Sequence, residues 1–315
     1  MRRFLILPVL LCLLGTSCLL PYAFTVSKAI EITDLPYEHS HRLVIDGISL
    51  HYQLLEPSDV PITGSVLLVH GLGASSYSFL SIAPVLKDAG YRVVSVDLPG
   101  FGYSSRSSDI DHRQMQRAQL LWQLLDQIDG FSGSWHLVGH SMGGGTVAAM
   151  ATAQPYRTDS VVFIAGALDD QHMVGRNLMH FPPFARWTQL YLERMLGQED
   201  RVAQILQEAY QRNPTAEEIT AYLEPLQLPG TARSLTRMVV TAESVNLSAL
   251  SDLTLPATGI WGEYDTIVPL SQAYTIAQYM DQLVIYVITG AGHIPMETHD
   301  DITAQILLDH LYHTD

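Results

Sequence analysis

The sequence predicts an α/β protein: a mostly parallel sheet covered by helices on both faces, with one helical insertion. Three observations predict it. Continuous runs of Val, Ile and Leu at residues 65–69, 92–96, 135–139, 160–165, 258–261 and 283–288 alternate with helical stretches. Strands buried on both faces of a parallel sheet have this composition and spacing. The rhythm then breaks between residues 168 and about 246, where the pattern is helical and proline-interrupted. Finally, the run at 135–139 leads directly into Gly139-His140-Ser141-Met142-Gly143-Gly144-Gly145 and a small-residue helical stretch. That pattern asks for a strand, a very tight turn and a helix.

A chain of 315 residues can bury a core of one large domain plus an insertion. With 47% hydrophobic and 16% charged residues, it reads as a compact globular protein rather than a disordered one. Lys+Arg 17 against Asp+Glu 32 leaves a formal charge of −15. Such a surface repels phosphate backbones, which excludes nucleic acid as a partner.

The first 24 residues stand apart and are set aside from the fold. Arg2-Arg3 precede an apolar run from Phe4 to Phe24, the signature of a secretory signal peptide or a membrane anchor. The run is long enough to span a bilayer, and the positive-inside rule would leave the body on the far side. Gly15-Thr16-Ser17-Cys18 also resembles a bacterial lipoprotein cleavage box, with Cys18 as the lipidated residue. Each reading makes the body extracytoplasmic: membrane-attached through the anchor or lipidated Cys18, or secreted or periplasmic after cleavage. Both cysteines, Cys12 and Cys18, fall in this segment, so the body is expected to have no disulfide and no cysteine metal site.

The body opens with a predicted hairpin, residues 42–45 and 48–55 around Asp46-Gly47, a strong two-residue turn signal. The strand at 65–69 ends in His70-Gly71-Leu72-Gly73 and a helix is expected over 77–90, closed by Gly90. The strand at 92–96 ends in Asp97-Leu98-Pro99-Gly100-Phe101-Gly102-Tyr103-Ser104, and residues 114–128 form an amphipathic helix. Within the insertion, Thr215 and Glu218 have capping-box spacing. The strand rhythm resumes at 258–261, and residues 302–312 give the closing helix. The expected units are therefore residues 1–24, a core of 25–167, a helical cap of 168–246 and the rest of the core, 247–315.

In the Gly-x-Ser-x-Gly turn the central residue takes a strained backbone that only glycines on either side permit. Ser141 is thereby lifted clear of the sheet as a candidate nucleophile. Serine needs a base to take its proton, and a neutral imidazole suits that near pH 7. The imidazole in turn needs a carboxylate to hold its tautomer.

The five blocks around Gly71, Asp97, Ser141, Asp265 and His293 occur in the order found in α/β-hydrolases, and the chain from about His41 onward resembles that family. The resemblance implies an eight-stranded, mostly parallel sheet with an inserted helical cap. It implies Ser141 as nucleophile, Asp265 as acid and His293 as base, in the family's chain order. It also places the oxyanion donors at the backbone N–H groups of Leu72 and Met142. Other residues compete for these roles: His140 as base, and Glu263, Asp169 and Asp170 as acid, while His70 is expected to support the loop after its strand rather than to act as base. In the insertion, Phe181, Phe184, Trp187, Tyr191 and Met195 form a stripe. Either the stripe packs a helix onto the body, or Phe181, Trp187 and Tyr191 line an apolar substrate pocket.

The expected activity is that of a serine esterase or lipase-like hydrolase on small to medium apolar esters, with lipid esters among the candidates. No metal and no organic cofactor is implied. Thioester, amide and C–C bond hydrolysis would use the same triad, and a non-catalytic binding protein on this fold is the reading from a different class. The expected partners are a small ester substrate and, through the N-terminal segment, a membrane; oligomeric state is left open.

Overall fold

A computed structural model of the chain describes residues 15–33, 35–107, 109–129, 133–168, 176–241, 243 and 245–314. Most of the apolar N-terminal run, with Cys12, and the candidate acids Asp169 and Asp170 lie outside them. The architecture is an eight-stranded sheet in the order β1-β2-β4-β3-β5-β6-β7-β8. The hairpin β1 (Ser40–Ile45) and β2 (Ile48–Leu55) is antiparallel, and β2 joins β4 (Tyr91–Val96) antiparallel. All further pairings are parallel, through β3 (Gly64–Val69), β5 (Trp135–His140), β6 (Thr158–Ile164), β7 (Ala257–Gly262) and β8 (Leu283–Ile288).

The hairpin turn has Asp46 and Gly47 both at positive φ (50° and 78°), the backbone that matches strand twist and that Asp-Gly favours. The inner strands are buried from end to end, β5 and β7 throughout, which is why their sequences show no alternation. Helices α1 (Ile82–Asp88), α2 (Gln114–Asp129), α3 (Met142–Ala153), α9 (Ser271–Ala277) and α11 (Asp300–Tyr312) cover the sheet, and the apolar core forms two clusters.

The helix expected over 77–90 is instead a 3-10 turn, Ser76–Phe79, followed by the short α1. Pro84 is the reason. Its ring and missing N–H are tolerated only in the first turn of a helix, so α1 begins at Ile82.

Between β6 and β7 lie α4 (Arg176–Met179), α5 (Pro182–Leu196), α6 (Glu199–Tyr210), α7 (Ala216–Gln227) and α8 (Thr231–Thr241). Pro182-Pro183 open α5, and Thr215 and Glu218 form a complete capping box on α7, whereas Pro225, expected as a break, lies inside the last turn of α7. In α5 no residue is buried. Its aromatic stripe is therefore not packed against the body, contrary to the core reading. Among the described residues no helix is long and apolar enough to cross a membrane.

Candidate active site

The strand β5 delivers Ser141 to the N-terminus of α3 at φ 50° and ψ −120°. Two backbone crowdings force this. A Cβ on Gly139 would lie 2.5 Å from the Gly143 carbonyl oxygen, and one on Gly143 would lie 2.3 Å from that of Val69. The strain is locked by neighbours: the Ser141 N–H donates to the Ile164 carbonyl at 3.0 Å, and the Ser141 carbonyl accepts from the Gly144 and Ala167 amides. Such φ/ψ values persist only where the surroundings over-determine them.

Asp265 follows β7 and His293 follows β8, at the same sheet edge as Ser141. The Asp265 Oδ2 atom lies 2.8 Å from His293 Nδ1. Its Oδ1 accepts the Ile267 and Val268 amides, both at 2.9 Å. The carboxylate is thus oriented from both oxygens, and the imidazole is left to present Nε2. Neither His293 Nε2 nor the Ser141 hydroxyl has a hydrogen-bond partner among the described residues. Asp265 and His293 are buried.

The loop after β3 lies against this turn. A Cβ on Gly71 would come within 3.0 Å of the Ser141 Cβ, so only glycine lets the chain pass. Leu72 follows, with its side chain half exposed, while Met142 is buried at the start of α3. The amides of both residues have no acceptor among the described residues, and the Met142 amide stands at the positive end of a 12-residue helix.

The competing histidines have other partners. His70 Nε2 accepts the Leu98 amide at 2.9 Å, so Nδ1 carries the proton and donates to the Gly71 carbonyl at 2.7 Å. Burial holds His70 below its ordinary pKa, so it is a neutral brace under the 71–73 loop. His140 Nε2 donates to the His293 carbonyl at 3.0 Å, with the two rings 4.8 Å apart. Burial first, and the neighbouring His293 second, push His140 well below the ordinary range. Glu263 turns away and accepts the Gly290 amide at 3.0 Å. Among the described residues no group of His, Cys, Asp and Glu could hold a metal ion.

Phe181, at the N-cap of α5, and Trp187 and Tyr191, within it, all stand exposed. No hydrogen bond or ring contact joins them to Ser141 or His293 among the described residues.

One group of residues escaped the sequence reading. The His293 amide donates to the Ala209 carbonyl at 2.7 Å, using one of the orphan acceptors at the C-terminus of α6. A Cβ on Gly292 would lie 2.3 Å from that same oxygen. One residue on, the Tyr210 hydroxyl donates to Glu297 Oε2, and the Tyr222 hydroxyl donates to Glu297 Oε1 at 2.6 Å. Glu297 sits in α10 (Pro295–Thr298), one turn beyond His293. Loss of water raises its carboxyl pKa against the pull of the two phenols. The loop bearing His293 is therefore fastened at two adjacent points to cap helices α6 and α7. A lone Glu four residues past a histidine carries no sequence signal for this, because its partners come from 75 and 87 residues away.

The sequence matches the family described as "alpha/beta hydrolase fold" over residues 64–300. It is 28% identical over 272 residues to the uncharacterized hydrolase YugF of Bacillus subtilis, covering 85% of this chain and 96% of that one. It is 30% identical to the magnesium-chelatase 30 kDa subunit of Rhodobacter capsulatus, covering 81% and 88%. Lipase 1 of Psychrobacter immobilis is 25% identical, with 76% and 74% covered. Among solved structures, a bacterial membrane phospholipase A described as a virulence factor superposes with a TM-score of 0.71 at 22% identity, covering 100% and 99%. The chain belongs to the α/β-hydrolase fold family.

Proposed function

We propose that the protein is a serine hydrolase that cleaves carboxylic esters of small to medium apolar substrates, lipid esters included, through an acyl-enzyme. The observation that carries this reading is the His293–Asp265 pair, oriented from both carboxylate oxygens and leaving Nε2 open, at the sheet edge where Ser141 stands on its strained turn. The Ser141 Oγ attacks the ester carbonyl carbon while His293 Nε2 takes its proton. Asp265 holds the Nδ1–H and stabilises the imidazolium. The oxyanion that forms meets the Leu72 and Met142 amides, each such donor being worth about 2.7–4 kcal/mol. Collapse expels the alcohol, which receives the proton from His293. Water then attacks the acyl-enzyme with His293 as base, releasing the acid and restoring the Ser141 hydroxyl.

Residues 1–24 would attach this enzyme to a membrane on its extracytoplasmic side, where lipid esters are at hand. Lipase 1 of Psychrobacter immobilis supports the ester reading. Thioester, amide and C–C substrates form the second reading, since the same oriented base serves them.

The deciding experiment is hydrolysis of p-nitrophenyl butyrate by the detergent-solubilised full chain beside its Ser141→Ala variant, with fluorophosphonate labelling. Turnover and labelling that both vanish in Ser141→Ala support the esterase. Labelling of Ser141 without ester turnover moves the assignment to the second reading. Undiminished turnover in Ser141→Ala removes the mechanism altogether.

A further inference from the structure

Helix α5 is amphipathic, yet its aromatic side faces out. Phe184, Trp187 and Tyr191 recur at three- and four-residue spacing, which puts them on one face of the helix. Phe181 precedes them at the N-cap. All four are exposed, Phe181 by 54% and Tyr191 by 60%. A row of this kind on a soluble surface marks a site of contact.

The N-terminal segment lies along the same helix. The Trp187 indole donates to the Ser17 carbonyl at 3.1 Å, the Arg186 guanidinium donates to the Phe24 carbonyl at 2.6 Å, and the Ser27 amide donates to Glu193 at 2.8 Å. Leu19, Leu20, Tyr22 and Phe24 are themselves exposed there, Leu19 by 72%. The fourteen residues preceding Gly15 continue this apolar run back to Phe4 and Arg2-Arg3. Whatever takes up that run is brought to the aromatic face of α5.

We propose that the aromatic face of α5 and the adjoining 3-10 turn Leu20–Ala23 rest on a phospholipid bilayer. The rings lie at the acyl-chain boundary. Exposed aromatic rings along one face of an amphipathic helix suit the boundary between acyl chains and headgroups. The cap would then be held against the lipid surface by a second contact, separate from the N-terminal run. This inference stands whatever bond Ser141 attacks, and it is tested equally on the Ser141→Ala chain.

Trp187 reports on it directly, because Trp122, Trp135 and Trp261 are buried. The full chain would be reconstituted into phosphatidylcholine vesicles carrying acyl-chain-brominated lipid, beside its Trp187→Phe variant. The expected result is loss of the Trp187 share of the emission to the bromolipid, with little loss to aqueous acrylamide and neither effect in Trp187→Phe. Trp187 open to acrylamide and untouched by bromolipid would overturn the proposal. Protection from both quenchers would also overturn it, showing that a second copy or residues 1–14 cover the stripe. So would failure of the chain to float with vesicles.

Discussion

His293 meets Asp265 and His51 meets Asp97 through the same atoms, Nδ1 to Oδ2, at 2.8 and 2.7 Å. Each pair also has a serine: Ser141 beyond the first and Ser40 beyond the second, where Ser40 Oγ lies 2.7 Å from His51 Nε2. Judged by hydrogen bonds alone, the second set is the more complete. Both serines are 8% exposed, so burial does not separate them either.

The surroundings do. Ser40 opens a strand in ordinary extended backbone, its amide bound to the Tyr37 carbonyl and its hydroxyl accepting the Tyr37 amide at 3.1 Å. Ser141 stands at positive φ on a helix N-terminus, beside two amides with no acceptor. Asp97 accepts the Ser76 amide at 2.6 Å and the Tyr103 amide at 2.7 Å, knitting β4 to the hairpin and the loop before α1. A serine, a histidine and a carboxylate in line make a brace unless strain frees the hydroxyl and donors await the oxyanion.

The sharpest way to break this contrast is to remove each hydroxyl in turn. Ser141→Ala should lower kcat by at least about 10⁴-fold, whereas Ser40→Ala should keep turnover within about twofold. Asp265→Asn should cost about 10⁴ in kcat by releasing the tautomer of His293, with the fold intact. Equal losses from Ser40→Ala and Ser141→Ala would erase the distinction.

Asp97→Asn should act on stability instead, by about 2–3 kcal/mol in denaturant unfolding, because it leaves a buried network short of an acceptor. The same carboxylate gives a pH signature. Burial opposes its ionisation, but His51 and the Ser76 amide outweigh that and hold it at about 2, down from 3.8. A carboxylate depressed in the folded state stabilises above its unfolded pKa and loses that contribution as pH falls. About 2 kcal/mol should therefore disappear between pH 3.8 and about 2 in the parent. The Asp97→Asn variant should lack that slope; a slope unchanged in the variant would assign it to other groups.

The smallest expected effect lies at the cap. Tyr210→Phe removes one hydrogen bond and leaves that of Tyr222 to the same carboxylate, a loss of about 0.5–1.5 kcal/mol. The loss should fall on kcat rather than KM, because the adjacent Ala209 carbonyl carries the His293 amide. A change confined to KM would place the clamp in substrate binding.

Much of this was legible in the chain. The Asp-Gly turn of the hairpin, the capping box at Thr215 and the glycines around Ser141 are local rules, and each produced its local structure. His70 could be recognised as a brace from its place at a strand end. The Ser40–His51–Asp97 set could not be read, because those residues are brought together by the register of β1, β2 and β4. The same holds for Glu297 with Tyr210 and Tyr222.

The amino-acid sequence alone determined the strand runs, the cap insertion, the strained serine turn and the chain order of Ser141, Asp265 and His293. Backbone sterics and hydrophobic periodicity act over a few residues, so a linear text records them. Only the tertiary structure decided which histidine faces which carboxylate, and which cap helix fastens the His293 loop. It also decided that the aromatic face of α5 points outward. Periodicity states which residues share a face; what covers that face depends on the placement of chain far away in sequence.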